Sequence, residues 1–222
     1  MRRSVHTVAI RCGTVWCVVV CVLAAACTPR ARPLEGTPAP AAVRVPRLDL
    51  PAGPQRVVFR WRYEEDGFSA RGDGAARTAG PDSARLDFFL DGGFGGGWAV
   101  LVGDELRTPP GNVARRLIPP APLLWAALGR LAVPSASDTT LRVAGDTLRA
   151  DLDAAGATTW RVTLAGGTLL GLERLQSGRV TDRLTRTPTA VRYTDVAGRR
   201  TLAIDIQRRE RTAPFPESTW SR

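Results

Sequence analysis

From Arg56 onward, apolar and polar residues alternate with a period of two in one segment after another. A chain written this way can bury its apolar side chains only as strands of a sheet with a covered face. Val57, Phe59, Trp61 and Tyr63 fall on one side of the first segment, with Val58, Arg60 and Arg62 on the other. Leu86, Phe88 and Leu90 alternate with Arg85 and Asp87, and Trp98, Val100 and Val102 form the next apolar set. Leu148 and Leu152 oppose Arg149 and Asp151; Trp160, Val162 and Leu164 oppose Thr159, Arg161 and Thr163. Val191 with Tyr193, and then Leu202, Ile204 and Ile206, close the series. Turn signals such as Asp66-Gly67, Gly80-Pro81-Asp82, Gly145-Asp146, Ser177-Gly178 and Ala197-Gly198 separate the segments. The pattern predicts one mainly β domain, an antiparallel sheet or barrel, over residues 56–210.

One stretch breaks the rhythm. Pro120-Ala121-Pro122 leads into Leu123, Leu124, Trp125, Ala126, Ala127, Leu128 and Leu131, which reads as a short helix with proline in its first turn. It is apolar nearly all round, so it is expected to pack onto a concave sheet face as a lid.

The first 26 residues are of another kind. Arg2, Arg3 and Arg11 precede an apolar run from Val15 to Ala26, and Ala24-Ala25-Ala26 stands directly before Cys27. A basic head, a short apolar segment and small residues at the cut are the parts of a secretory signal. The run falls short of the about 20 residues of a membrane-spanning helix. With cysteine at the cut, the segment resembles the bacterial lipoprotein signal, although its leucine, Leu23, lies four residues before the cysteine rather than three. The resemblance implies lipidation of Cys27, palmitate included, and delivery to the outer membrane, with the domain in the periplasm. Thr28, which is not aspartate, agrees with that destination. A plain signal peptide is the alternative.

Removal of residues 1–26 would take with it Cys12, Cys17, Cys21 and the sole histidine, His6; the chain has no lysine. The remainder could form neither an internal disulfide, nor a Ser-His-Asp arrangement, nor a lysine Schiff base, nor a zinc site built on His or several Cys. No cofactor and no catalytic residue are expected. Acidic residues such as Asp87, Asp151, Asp153 and Asp205 fall on outward positions among arginines, where solvated ion pairs are their ordinary use. The net charge of +10 rests on arginine and names no partner by itself. Outside the cytoplasm, anionic head groups fit it better than nucleic acid. Residues 27–55, rich in Pro and Ala, read as an extended tether that lets the domain stand clear of the membrane, and residues 211–222 as a C-terminal tail.

Phe68-Ser69-Ala70-Arg71-Gly72, Pro81-Asp82-Ser83-Ala84-Arg85-Leu86-Asp87 and Ala99-Val100-Leu101-Val102-Gly103-Asp104 together resemble the LolA/LolB group of periplasmic lipoprotein carriers and receptors. The resemblance implies a half-open, curved antiparallel β-barrel or sheet with a short helical lid, and an apolar hollow for acyl chains of lipid or lipoprotein. On that reading Phe59, Trp61, Phe88, Trp98 and Trp160 line the hollow, and Leu124, Trp125 and Leu128 come from the lid. The alternation alone equally permits a filled interior, as in a structural or interaction lipoprotein. In the loop Asp91-Gly92-Gly93-Phe94-Gly95-Gly96-Gly97, no lysine follows and a phosphate cradle is excluded. By the same resemblance, Phe94 is the residue that would press into a membrane; a ring tucked against the barrel end is the alternative. The whole is expected to act by binding, as a monomer, with the membrane and acyl chains or lipoproteins as partners.

Overall fold

The computed structural model describes residues 29–92, 95–110 and 117–221. Its strands are β1 (Thr37–Pro38), β2 (Gln55–Glu65), β3 (Phe68–Ala79), β4 (Ser83–Leu90), β5 (Gly96–Val102), β6 (Glu105–Arg107), β7 (Asp138–Ala144), β8 (Thr147–Ala154), β9 (Thr158–Ala165), β10 (Thr168–Gln176), β11 (Arg179–Arg186), β12 (Ala190–Asp195) and β13 (Arg200–Arg211). All belong to one antiparallel sheet in the order β1-β7-β8-β9-β10-β11-β12-β13-β2-β3-β4-β5-β6. The sheet does not close, so the half-open, mainly β architecture expected from the sequence is the one observed. Most strands are joined to their neighbours by tight turns; the pairings of β13 with β2 and of β1 with β7 are the long-range ones.

The helix, α1 (Ala121–Leu128), has proline in its first turn and ends at Gly129, whose φ of 104° is left-handed. Only glycine takes that conformation at no steric cost, which ends the helix there. Leu123, Leu124, Trp125, Ala126 and Ala127 are all buried. They join Phe59, Trp61, Tyr63, Leu86, Phe88, Leu101, Trp160, Val162, Leu172, Leu184 and Leu202 in one apolar cluster on the helix-bearing face. Each large side chain there adds about 1.5–3 kcal/mol of transfer free energy.

Two segments depart from expectation. From Pro29 onward the proline-rich stretch is not a free tether but a strap bound to the sheet. Ala31 N–H donates to Gly178 O at 2.9 Å and Val180 N–H to Pro29 O at 3.2 Å. Arg161 Nη1 donates to Arg32 O at 2.6 Å, and Arg149 pairs with Glu35 at 3.5 Å. The strap thus crosses the outer face, adds β1 to the edge of β7, and turns inward. There Leu50 is buried, Val45 and Leu48 pack on the core, and Leu48 O accepts from Leu131 N–H at 3.0 Å. Proline content reports an extended backbone, and here that backbone finds acceptors on the sheet. The tail likewise folds back: a 3-10 turn at Glu217–Trp220 covers the outer face of β4 and β5, with Thr219 O accepting from Arg85 Nη1 at 3.3 Å. Beneath it Asp87 is buried and held by Arg85 Nη2 at 2.8 Å and by Arg77, so this carboxylate is not the solvated one expected.

Candidate functional site

The helix-bearing face is the candidate site. Register sets its membership: Phe59, Gly74, Phe88 and Gly97 are successive partners across β2, β3, β4 and β5, so Phe59 and Phe88 share that face. Phe88 meets the Phe59 ring at 5.6 Å and the Trp61 ring at 5.7 Å, both edge-on. That arrangement suits the quadrupoles of aromatic rings. Gly74 makes the approach possible, because a Cβ there would lie 2.2 Å from the Phe59 ring. Trp160 stands on the same face, opposite Leu152 on β8. Leu124 and Trp125 press down from α1, and Leu128 packs at the edge of the cluster. Trp125 Nε1 reaches Gly103 O at 2.9 Å and ties the helix to the β5–β6 turn.

Trp98 does not belong with them. It pairs with Asp87, which places it on the outer face, where the Arg85 guanidinium lies 5.7 Å from its ring. Ala99 and Leu101 are the inward residues of β5. The expected phase failed because β5 is apolar on both sides, its outer side lying under the tail. Phe94 lies outside the described residues, and so does Cys27.

The face is occupied by the protein itself. Between Trp61, Phe88, Gly97, Leu117, Ile118 and Leu202 there remains a cavity of about 10 Å³, no more than one water-sized probe. An acyl chain could lie against Trp61 and Phe88 only with Leu117 and Ile118 displaced.

At the end of this face where β10 turns into β11, the sequence reading missed a polar group. Asp182 is 3% exposed, accepts from Tyr193 Oη at 2.8 Å, and pairs with Arg174 Nη2 at 2.6 Å. Arg200 lies 3.6 Å from both Glu65 and Asp195. Arg174, Asp182, Tyr193, Asp195 and Arg200 border a cleft of about 670 Å³ with Arg107 and Pro119-Pro120. Burial first, then the charge and hydrogen bond of Asp182, raise the Tyr193 phenol well above its usual range. The phenol therefore stays a neutral donor. The available signal was the inward phase shared by Asp182, Leu184 and Arg186 on β11, a strand whose apolar content is otherwise thin.

With this geometry in view, comparison with solved structures gives the fold class. The chain is similar to the crystal structure of a LolA superfamily protein from Nitrosomonas europaea at TM-score 0.50 and 11% identity, covering 78% of this chain and 92% of that one. It is similar to a DUF1329 family protein from Desulfovibrio piger at TM-score 0.50 and 10% identity, covering 76% and 90%. The chain has a LolA-like fold. No family model and no curated protein matches the sequence.

Proposed function

We propose that the protein is an envelope lipoprotein, anchored through Cys27, that binds acyl chains of a lipid or lipoprotein against its aromatic floor without catalysis. The observation that carries this reading is α1: an all-apolar helix of eight residues packed on β10 and β11, in the same apolar cluster as Phe59, Trp61, Phe88 and Trp160. Such a helix substitutes for a chain ligand and gives way to one, since both offer apolar surface to the same wall. The LolA-like fold supports a carrier role at the level of the superfamily. The strap adds an address within the membrane geometry. Pro29, two residues after Cys27 and thus within about 7 Å of it, is hydrogen-bonded to Val180 at the start of β11, so an acyl anchor would hold the β10–β11 turn near the membrane surface. The β2–β3 and β4–β5 turns are at the same end, with Phe68 and Phe89 about half exposed. This end, with Phe94 in its glycine-rich loop, would face the bilayer, where aromatic rings settle at the interface.

Titration with a fatty acyl ligand tests the site. Trp61, Trp125 and Trp160 emission should shift and the melting temperature rise, by the equivalent of about 2.7 kcal/mol at a hundredfold excess over Kd. Trp98 and Trp220, on the outer face, should be silent, so a Trp98→Phe/Trp220→Phe background isolates the response. A second reading, a filled-core interaction subunit of the envelope, is favoured by the cavity of about 10 Å³. Unchanged emission and melting with every acyl ligand would select it.

A further inference from the structure

Charges on the helix-bearing face are matched at one end and unmatched at the other. Where β10 meets β11, Arg174 and Arg200 have Asp182, Asp195 and Glu65. At the opposite end stand Arg130, just past α1, Arg186, the last residue of β11, and Arg209 on β13. Register puts Arg186 opposite Val191, which pairs with the core residue Ile204, and Arg209 opposite the core residue Val57; both are therefore on the inward side of their strands, Arg209 at the exposed rim. Arg186 lies against the end of the helix, since a Cβ at Gly129 would be 3.1 Å from its Nη2. Arg130 stacks on Trp125 at 4.5 Å.

Among the described residues none gives these groups a carboxylate. Nε and Nη1 of Arg130 and Nε of Arg186 are buried with no acceptor. A buried guanidinium donor left unmade is costly, and arginine is well matched in shape to carboxylate and phosphate oxygens. Burial holds the pKa of both Arg186 and Arg209 below the usual arginine value, with the charge of Arg209 adding to the effect on Arg186. Two cations that repel across an apolar mouth are arranged for an anion between them. The negative C-terminal end of α1 compensates them only in part.

We propose that Arg130, Arg186 and Arg209 form the head-group site for an anionic amphiphile, with a carboxylate or phosphate head, whose chain enters the apolar cluster in place of α1. This rests on the acyl-chain reading above and narrows it to ligands with an oxyanion at one end.

The test compares palmitate, lysophosphatidate, neutral monopalmitoylglycerol and inorganic phosphate on the wild type, Arg186→Gln and Arg209→Gln, by calorimetric titration and thermal shift. The expected result is that both anionic amphiphiles bind at least about tenfold tighter than the neutral one, the worth of one charge-assisted hydrogen bond. Either substitution should erase that preference while neutral binding persists. Arg209 is the more exposed of the two, so Arg209→Gln keeps the comparison open if Arg186→Gln melts early without ligand. Equal affinity for all three amphiphiles, unchanged in both variants, would overturn the head-group site and leave the acyl-chain site standing. Stabilisation by inorganic phosphate, lost in Arg186→Gln, with no amphiphile bound, would overturn the amphiphile assignment in favour of a free oxyanion. Binding of none of the four would overturn both readings.

Discussion

Among the described residues three tryptophans enter the core, and their indole nitrogens fare differently. Trp61 Nε1 donates to Asp73 O at 3.0 Å and Trp125 Nε1 to Gly103 O at 2.9 Å, whereas Trp160 Nε1 is buried without an acceptor. An unmade buried donor costs about 1–3 kcal/mol. Trp160→Phe, which removes that penalty along with some packing, should therefore cost at least about 1 kcal/mol less than Trp125→Phe in urea denaturation. Gly74 has no such tolerance. With a Cβ 2.2 Å from the Phe59 ring and 2.9 Å from Asp87 O, and Phe59 itself 1% exposed, Gly74→Ala should lose about 1–3 kcal/mol or more through overpacking. Tyr193 predicts a pH dependence. Its phenol is held neutral in the fold by burial and Asp182, while in the unfolded chain it ionises near pH 10, the ordinary value. The raised folded pKa makes its contribution fully present below about pH 10 and diminishing above it, as the unfolded state sheds the proton first. Urea midpoints on either side of that pH should fall in the wild type, and less in Tyr193→Phe.

At the scale of elements, the strap and the lid act as one clasp, because Leu48 O binds the backbone just past α1. Gly36 is its weak point. With φ of 107° and Val143 O at 2.5 Å from any added Cβ, Gly36→Ala should detach β1. Amide exchange should then quicken in β7 and leave β12 untouched. The strands flanking the core were legible in the sequence because Phe59, Trp61 and Tyr63, or Trp160, Val162 and Leu164, alternate against charged or hydroxyl residues. Trp98 was assigned to the wrong face because the glycines before it carry no side chain to fix the phase, and Ala99 and Leu101 are as apolar as Trp98 and Val100. The strap was illegible for a different reason. Its binding runs mostly through backbone groups, which every residue has, and only Val45, Leu48 and Leu50 betray burial. The arginine and aspartate groups could not be assembled without register, since Arg130, Arg186 and Arg209 lie on three separate elements.

For the whole molecule, the order of the strands matters more than any one contact. The first long strand, β2, finds its partner in the last, β13, over a register running from Gln55↔Arg211 to Glu64↔Thr201. Everything between folds locally into hairpins, but the two halves of the sheet meet only at this seam. Closing so large a loop comes late, since its entropy must be met before the pairing returns anything. A chain threaded through a membrane with its N-terminus leading would deliver the aromatic row of β2 long before the strand that covers its flank. On the proposed envelope reading, the sheet would set a timetable for export: Phe59, Trp61 and Tyr63 would wait, uncovered, for the final segment to emerge, and a holding partner in the envelope would be most needed during that wait. Because the hairpins form before the seam closes, substitutions in the β7–β8 hairpin should slow refolding from urea with little change in unfolding, whereas those along the seam, such as Ile204→Ala, should mainly speed unfolding.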